Sequence, residues 1–205
     1  MSVSGGASRQ DLLEQALRGD EASLGRLLES HRSYLLLLAR LEVGRHLRVK
    51  VDPADVVQDT FLEASRGFAR FRGRDEVEFA VWLRQILASS LSHLVRRYLG
   101  TEARDLRLER SLAQNLDQSS RSIDRGLVAM QSSPSQRASR REQALILADA
   151  LERLPPDYRE VIVLRHLEGL TFPSVAERMN RTLASVEKLW ARAVGRLKAS
   201  LEAHA

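Results

Sequence analysis

The sequence predicts an all-α protein with two small helical domains joined by a flexible linker, the C-terminal domain containing a helix-turn-helix. Hydrophobic residues make up 43% of the 205 residues and aromatic residues only 5%, a balance that favours helices over sheets. Residues that start and stop helices recur in two blocks, and no alternation typical of strands persists. Residues 111–141, between the blocks, contain eight serines and four glutamines, as flexible linkers often do.

The first block begins with two predicted helices. Asp11 is expected to cap a short helix over residues 12–17, which ends at Gly19 because glycine tolerates the left-handed conformation that closes a helix. Asp20 is expected to cap a longer helix that continues through Leu41.

The clearest helix start in the chain is at Asp52. Asp52 takes the capping position, Pro53 the first turn, and Asp55 a place where the helix dipole favours an anion. This helix is predicted to reach Phe68. A loop over 71–75 and a helix over 77–99 follow, so we expect the first domain to span residues 8–100.

The second block, residues 142–205, is predicted to contain four helices. They cover residues 142–154, 156–168, 171–179 and 183–201. Pro155 stops the first, Gly169 ends the second, Thr171 caps the third, and Asn180 lies in the turn before the last. The linker is expected to cover residues 101–141.

Composition excludes several classes of site. The chain has no cysteine, so disulfides, cysteine-ligated zinc and thiol nucleophiles are excluded. Its five histidines are scattered, and no nucleophile or phosphate-loop motif is present, so we expect no enzyme activity, metal or cofactor. The N-terminus lacks the apolar core of a signal peptide, and no apolar run is long enough to span a membrane. We therefore expect a cytoplasmic protein that does not insert into membranes.

Residues 172–191 fit a helix-turn-helix. Ala176 is small where two helices would cross, Asn180 tolerates the turn, and Val175 and Val186 supply apolar inner faces. With a net charge of +5, DNA is a plausible partner. The residues placed to meet DNA, called here the recognition set, are Arg181, Thr182, Ser185, Lys188 and Arg192. An ordinary helical hairpin with a solvated basic face remains the alternative.

The helix after Asp52 has two different faces. Val57, Phe61, Ala64 and Phe68 form an inward apolar stripe. The other face, called here the acidic stripe, consists of Asp55, Gln58, Asp59 and Leu62. An acidic patch with one apolar residue on a basic protein suggests a protein partner that carries arginine, but on these residues alone an ordinary solvated face is the preferred interpretation.

A third group combines the loop at 71–75 with the polar side of the next helix. The members, called here the polar loop–helix set, are Phe71, Arg72, Arg74, Ser89, Ser92, His93, Arg96 and Arg97. Cations, polar groups and an aromatic ring can together hold single-stranded DNA by charge and stacking. Trp82 lies nearby, and its position favours a core role over base stacking.

Two sets of motifs resemble extracytoplasmic-function sigma factors of bacterial RNA polymerase. Residues 55–62 (DVVQDTFL), 70–73 (RFRG), 82–83 (WL) and 96–97 (RR) resemble their second domain. Residues 154–161 (LPPDYREV), 167–171 (LEGLT), 176–179 (AERM) and 186–193 (VEKLWARA) resemble their fourth domain. The two sets occur in the family's order and cover most of the chain. Ser89, His93, Ser174 and Glu187 depart from residues that are common in the family.

The resemblance implies a role for each group. The acidic stripe would dock on the clamp helices of the polymerase β′ subunit, and other parts of the chain would contact the β subunit. The polar loop–helix set would melt and hold the −10 promoter element, and the recognition set would contact the −35 element. The linker would thread through the polymerase, and an anti-sigma factor is a further class of partner that the resemblance implies.

Two other functions remain open on the sequence alone. A stand-alone helix-turn-helix regulator would explain the second block but leave the motifs of the first unexplained. An enzyme such as a hydrolase would need a catalytic constellation that the scattered histidines do not supply.

Overall fold

The computed structural model describes residues 7–46, 51–99, 106–130 and 137–203, and these form helices and connecting turns without strands. The all-α prediction is therefore confirmed for this part of the chain. Two compact units are present, Met1–Gln118 and Ser119–Ala205. None of the helices in the described ranges is long and apolar enough to cross a lipid bilayer.

Among the described residues, six α-helices begin within the first unit and four within the second. The first six are α1 (Arg9–Leu17), α2 (Glu21–Glu29), α3 (Arg32–His46), α4 (Pro53–Gly67), α5 (Glu76–Leu99) and α6 (Leu106–Met130). The other four are α7 (Arg137–Glu152), α8 (Pro156–Ile162), α9 (Phe172–Arg178) and α10 (Leu183–Glu202). Their cores consist mainly of leucine, isoleucine, valine and alanine side chains.

Two of the predicted helix boundaries at the N-terminus are wrong. Ser8, and not Asp11, caps α1: its hydroxyl accepts from the Asp11 N–H at 3.1 Å, and the Asp11 carboxylate accepts from the Ser8 N–H at 3.0 Å. This capping box satisfies two backbone donors at once, and the bonds from Ser8 lower the pKa of Asp11. Asp20 caps α2 as predicted, but the helix stops at Glu29. His31, which is fully buried with Nδ1 2.9 Å from the Leu27 carbonyl oxygen, occupies the break before α3.

Part of the predicted linker is helical. The prediction of a flexible segment over 101–141 is wrong for α6, in which Leu112, Leu116 and Ile123 are buried. Ser119 and Ser120 are buried on the same face, so the stripe runs at positions i, i+4, i+7, i+8 and i+11. Because two of these five buried residues are serines, the apolar residues alone do not show the spacing of a helix. The domain boundaries stay a prediction.

A buried cation joins the N-terminal half of α6 to α3 and α5 within the first unit. The Arg84 side chain is only 8% exposed, and its Nε donates to Oδ1 of Asp117 on α6 at 2.9 Å. Its Nη1 also donates to the Tyr34 hydroxyl on α3 at 3.3 Å. One guanidinium therefore bonds across α3, α5 and α6.

The second unit follows the predicted order with one difference. The helix that begins at Pro156 does not stay regular to Glu168 but widens into a π-helical turn over Val163–Leu167. Gly169, with φ +73°, and Asn180, with φ +51°, adopt the left-handed conformations that their positions predicted.

Arg159 closes the end of α7. Its guanidinium donates to the carbonyl oxygens of Leu151, Glu152 and Leu154 at 3.1, 2.9 and 3.2 Å. It also pairs with the Glu152 carboxylate at 3.3 Å. The last carbonyls of a helix receive no bond from a following turn, so this side chain supplies further donors at the end of α7, where the Leu151 carbonyl also accepts from the Leu154 N–H at 3.1 Å.

We expect Arg159→Ala to lower the free energy of unfolding of the second unit by about 1–2 kcal/mol, because the carbonyl oxygens of Leu151, Glu152 and Leu154 would lose the guanidinium donors. Arg159→Lys should recover only part of the loss, since an ammonium group cannot reproduce the planar fork. The measurement is urea unfolding followed by Trp190 fluorescence in a Trp82→Phe background. Equal stability of the lysine variant and the wild type would contradict the role of the fork.

Candidate functional site

The acidic stripe lies on the solvent side of α4. Asp52 begins this helix as predicted, its carboxylate accepting from the Ala54 N–H at 2.9 Å. That register turns Val57 and Ala64 fully inward. It leaves all four members of the stripe exposed, and Leu62 keeps 50% of its surface in solvent. Single exposed aliphatic side chains are common on protein surfaces, so the exposure of Leu62 by itself does not distinguish a protein contact from a solvated face.

A groove of about 710 Å³ runs between α4 and α5, and we call it the α4–α5 groove. Its lining residues are Asp59, Leu62, Glu63, Arg66, Gly67, Arg70, Trp82, Gln85, Ile86, Ser89, Ser90, His93, Leu94 and Arg97. Asp59 and Glu63 give it carboxylates, whereas Arg70, His93 and Arg97 give it cationic or titratable nitrogens. The acidic stripe and the polar loop–helix set thus share one groove.

Two members of the polar loop–helix set are not available as surface contacts. Ser92 is fully buried and Phe71 is only 6% exposed, which corrects the expectation that both face a ligand. The Phe71 ring packs against Trp82, Phe79 and Phe68, with centroids 5.1, 5.6 and 5.8 Å away. Its partners come from both sides of the loop, so the local sequence did not reveal the cluster.

Gly73 allows this loop to close over the Phe71 ring. A Cβ at this position would overlap the ring and lie 2.9 Å from Cβ of Glu78. The loop is also fixed by the Glu78 carboxylate, which accepts from the Arg74 N–H at 2.7 Å. The Arg72 guanidinium donates to the Ala69 carbonyl at 2.8 Å. The guanidinium groups of this loop therefore lie on a rigid support.

The remaining members of the set stay at the surface. Arg72, Arg74, His93 and Arg97 are exposed, and Ser89 and Arg96 are half-buried. Arg96 donates to Nδ1 of His93 at 2.7 Å. A guanidinium can only donate, so this contact requires a neutral His93 ring whose proton is on Nε2. Ser89, His93 and Arg97 all line the α4–α5 groove.

The second unit contains the predicted helix-turn-helix, formed by α9 and α10. Thr171 caps α9, and Thr182 caps α10 by accepting from the Ser185 N–H at 3.3 Å. The Arg181 N–H closes the turn by donating to the Ala176 carbonyl at 2.9 Å. The inner face is apolar, with Val175, Ala176, Val186, Ala193 and Leu197 buried.

The recognition set extends from the turn before α10 to the middle of that helix, and its members differ in exposure and in hydrogen bonding. Lys188 and Arg192 are exposed, and Ser185 is half-buried. The Thr182 hydroxyl is engaged as the helix cap. The Arg181 guanidinium lies 2.5 Å from the Asp157 carboxylate.

A cluster of aromatic rings, which the sequence did not indicate, packs around Trp190 of α10. Nε1 of Trp190 donates to Nε2 of His166 at 2.9 Å, and the Phe172 ring meets Trp190 edge-on at 5.5 Å. The Arg165 guanidinium lies over the Phe172 ring, 4.9 Å from its centre. Partial burial lowers the pKa of His166, and the charge of Arg165 lowers it further. The neutral ring is the form that accepts from Trp190.

Similarity to known proteins extends over both units. A family model described as sigma-70, region 4, matches residues 144–197. The chain is 29% identical over 182 residues to the ECF RNA polymerase sigma-E factor of Haemophilus influenzae, with 86% of each chain covered. It is 26% identical over 178 residues to the RNA polymerase sigma-H factor of Pseudomonas aeruginosa, covering 86% of this chain and 85% of that one. The solved structure of CnrH in complex with the cytosolic domain of CnrY is 25% identical, covers 96% of this chain and 99% of that chain, and has a TM-score of 0.34.

Proposed function

We propose that this chain, a relative of the extracytoplasmic-function sigma factors over most of its length, binds core RNA polymerase and directs it to promoters. The resemblance predicted from the motifs is confirmed by the region 4 match and by the sigma factors aligned along both units. The chain acts as a binding subunit, and the polymerase supplies the chemistry. We place it in the cytoplasm, where a bacterial polymerase works.

The observation that carries the proposal is the combination of two surfaces in one chain. The first unit presents the exposed acidic stripe beside a polar groove, and the second presents a helix-turn-helix with exposed cations. A stand-alone DNA-binding regulator needs the second surface only. A factor that connects a polymerase to DNA needs both.

The acidic stripe is the proposed docking face for the β′ clamp helices. Within the described ranges, neither Asp55 nor Asp59 has an ion-pair partner, so both carboxylates are available to a basic surface. Leu62 adds exposed apolar area at the C-terminal end of the stripe. Complementary charge would speed and orient docking, while the leucine would contribute burial.

The basic part of the α4–α5 groove is the proposed site for the melted −10 strand. Ser89, His93 and Arg97 line it, and Arg66 and Arg70 extend it toward the loop that carries Arg72 and Arg74. Phe71 and Ser92 are excluded from this site because they are buried. The cations would track the backbone of the strand, and the half-buried Trp82 lies at the groove wall.

The outer face of α10 is the proposed reader of the −35 element. We expect Lys188→Ala to change the preference among upstream sequences by about 1–3 kcal/mol if a contact to a base edge is lost. Arg192→Ala, one turn further along, should weaken all promoters alike and reduce the salt slope by about one phosphate contact. The measurement is holoenzyme binding to a panel of upstream sequences at several salt concentrations. Equal effects of the two changes on every sequence would contradict base reading by Lys188.

The direct test of docking is copurification. The tagged chain is mixed with core RNA polymerase and separated by size exclusion, and we expect it to elute with the core enzyme. A promoter duplex should then be bound more tightly by the mixture than by either component. Failure to bind the core enzyme, together with tight binding of duplex DNA by the chain alone, would favour a stand-alone regulator.

A further inference from the structure

We propose that Asp157 holds the Arg181 guanidinium in the free protein, and that Arg181 exchanges this carboxylate for a promoter phosphate when α10 meets DNA. The inference rests on the proposed function and assigns to Asp157 an effect on the affinity for promoter DNA. Asp157 lies in the first turn of α8 and does not belong to the helix-turn-helix. It would set how much of the charge at the turn is available to DNA.

The Arg181 side chain is not needed to build the turn. Asn180 reverses the chain with φ +51°, and the backbone N–H of Arg181 closes the turn on Ala176 at 2.9 Å. Thr182 then starts α10 with its own hydroxyl. Backbone and cap therefore fix this geometry, so the guanidinium can change partner without disturbing the fold.

The ion pair is close but lies at the surface. The two charged groups are 2.5 Å apart, while the side chains of Arg181 and Asp157 are 38% and 53% exposed. Exposed pairs contribute little to stability because water and salt screen them. A phosphate competes well for the same guanidinium, since it accepts two parallel hydrogen bonds from the planar fork.

Arg181 differs in this respect from the other cations of the recognition set. Lys188 and Arg192 are exposed and, among the residues that the structure describes, make no ion pair. Arg181 immediately precedes the cap of α10, at the end of the helix that would approach DNA first. A carboxylate at this point has two effects: it occupies the cation and repels the phosphates.

The experiment compares holoenzymes that carry the wild-type chain or the variants Asp157→Asn, Asp157→Glu, Arg181→Ala and the Asp157→Asn/Arg181→Ala pair. Glu160→Gln is the matched control, because it removes one exposed carboxylate from the same helix. The probe is a labelled duplex that the wild-type holoenzyme selects from a random library. Affinity is measured over a range of salt concentrations, and far-UV circular dichroism of each free chain on heating checks that each variant folds.

We expect Asp157→Asn to tighten binding by roughly twofold to fivefold, the range that corresponds to releasing an exposed ion pair. The gain should shrink as salt rises, be absent in Asp157→Glu, and disappear when Arg181 is also replaced. Glu160→Gln should change the affinity less. A merely structural role for Asp157 would lower the unfolding temperature and weaken binding instead.

Unchanged or weaker binding by Asp157→Asn overturns the inference. A gain that persists without Arg181 also overturns it, because Asp157 would then act on DNA directly. If the wild-type chain gives the core enzyme no selected duplex at all, the proposed function fails as well. If the wild-type holoenzyme selects a duplex and Asp157→Asn does not change the affinity for it, only the inference about Asp157 is overturned.

Discussion

Replacing Asp59 with arginine is expected to weaken binding to core RNA polymerase by roughly hundredfold or more, since like charges brought together at an interface cost several kcal/mol. Asp59 lies at the centre of the acidic stripe and also borders the α4–α5 groove. Its side chain is exposed, so the first unit should fold normally. The measurement is a titration of labelled chain with core enzyme.

Two further variants make this result specific. Asp59→Asn removes the charge without reversing it and should lose less affinity than the arginine variant. Glu21→Arg makes the same charge reversal at an exposed position on α2, outside the stripe, and should bind the core enzyme nearly as well as the wild type. Equal losses in Asp59→Arg and Glu21→Arg would mean that total charge, and not the stripe, governs binding.

Removing the Asp117 carboxylate is expected to lower the free energy of unfolding of the first unit by about 2–3 kcal/mol. Asp117→Ala would leave the buried Arg84 guanidinium without its anionic partner, and an unpaired buried charge is among the most destabilising changes. The Asp117 side chain is 49% exposed, so water at this edge keeps the cost below that of a fully buried pair. Urea unfolding followed by Trp82 fluorescence in a Trp190→Phe background measures it.

The double variant Arg84→Met/Asp117→Ala provides the control. A methionine fills much of the same volume without a charge, so we expect the double variant to recover most of the stability that Asp117→Ala loses. The same series isolates the contribution of the pair between Arg84 and Asp117 to the first unit. No destabilisation by Asp117→Ala would contradict a stabilising role for this pair.

Local signals in the sequence predicted the elements whose geometry is set by neighbouring residues. Asp52 and Pro53 fix the start of α4, and this start determines which residues of the helix face solvent. Asn180 similarly determines the turn before α10. The acidic stripe and the helix-turn-helix were predictable for this reason.

Features that depend on distant partners were not predictable in the same way. Phe71 is buried because its ring packs against Phe79 and Trp82 of the following helix. The sequence predicted that this ring would be free to stack on a base, whereas it belongs to the core. Asp117 looked like a linker residue because its partner, Arg84, is 33 positions away. The pair between Arg181 and Asp157 likewise spans 24 positions.

Transcription from a library of random upstream sequences shows whether the chain directs core RNA polymerase to promoters. Core RNA polymerase is supplied with the library in the presence or absence of the chain, and the start sites of all transcripts are sequenced. We expect transcription start sites that depend on the chain and share two conserved sequence elements, of which the upstream one changes with Lys188→Ala. Identical start sites with and without the chain would contradict the claim that it directs the polymerase to promoters.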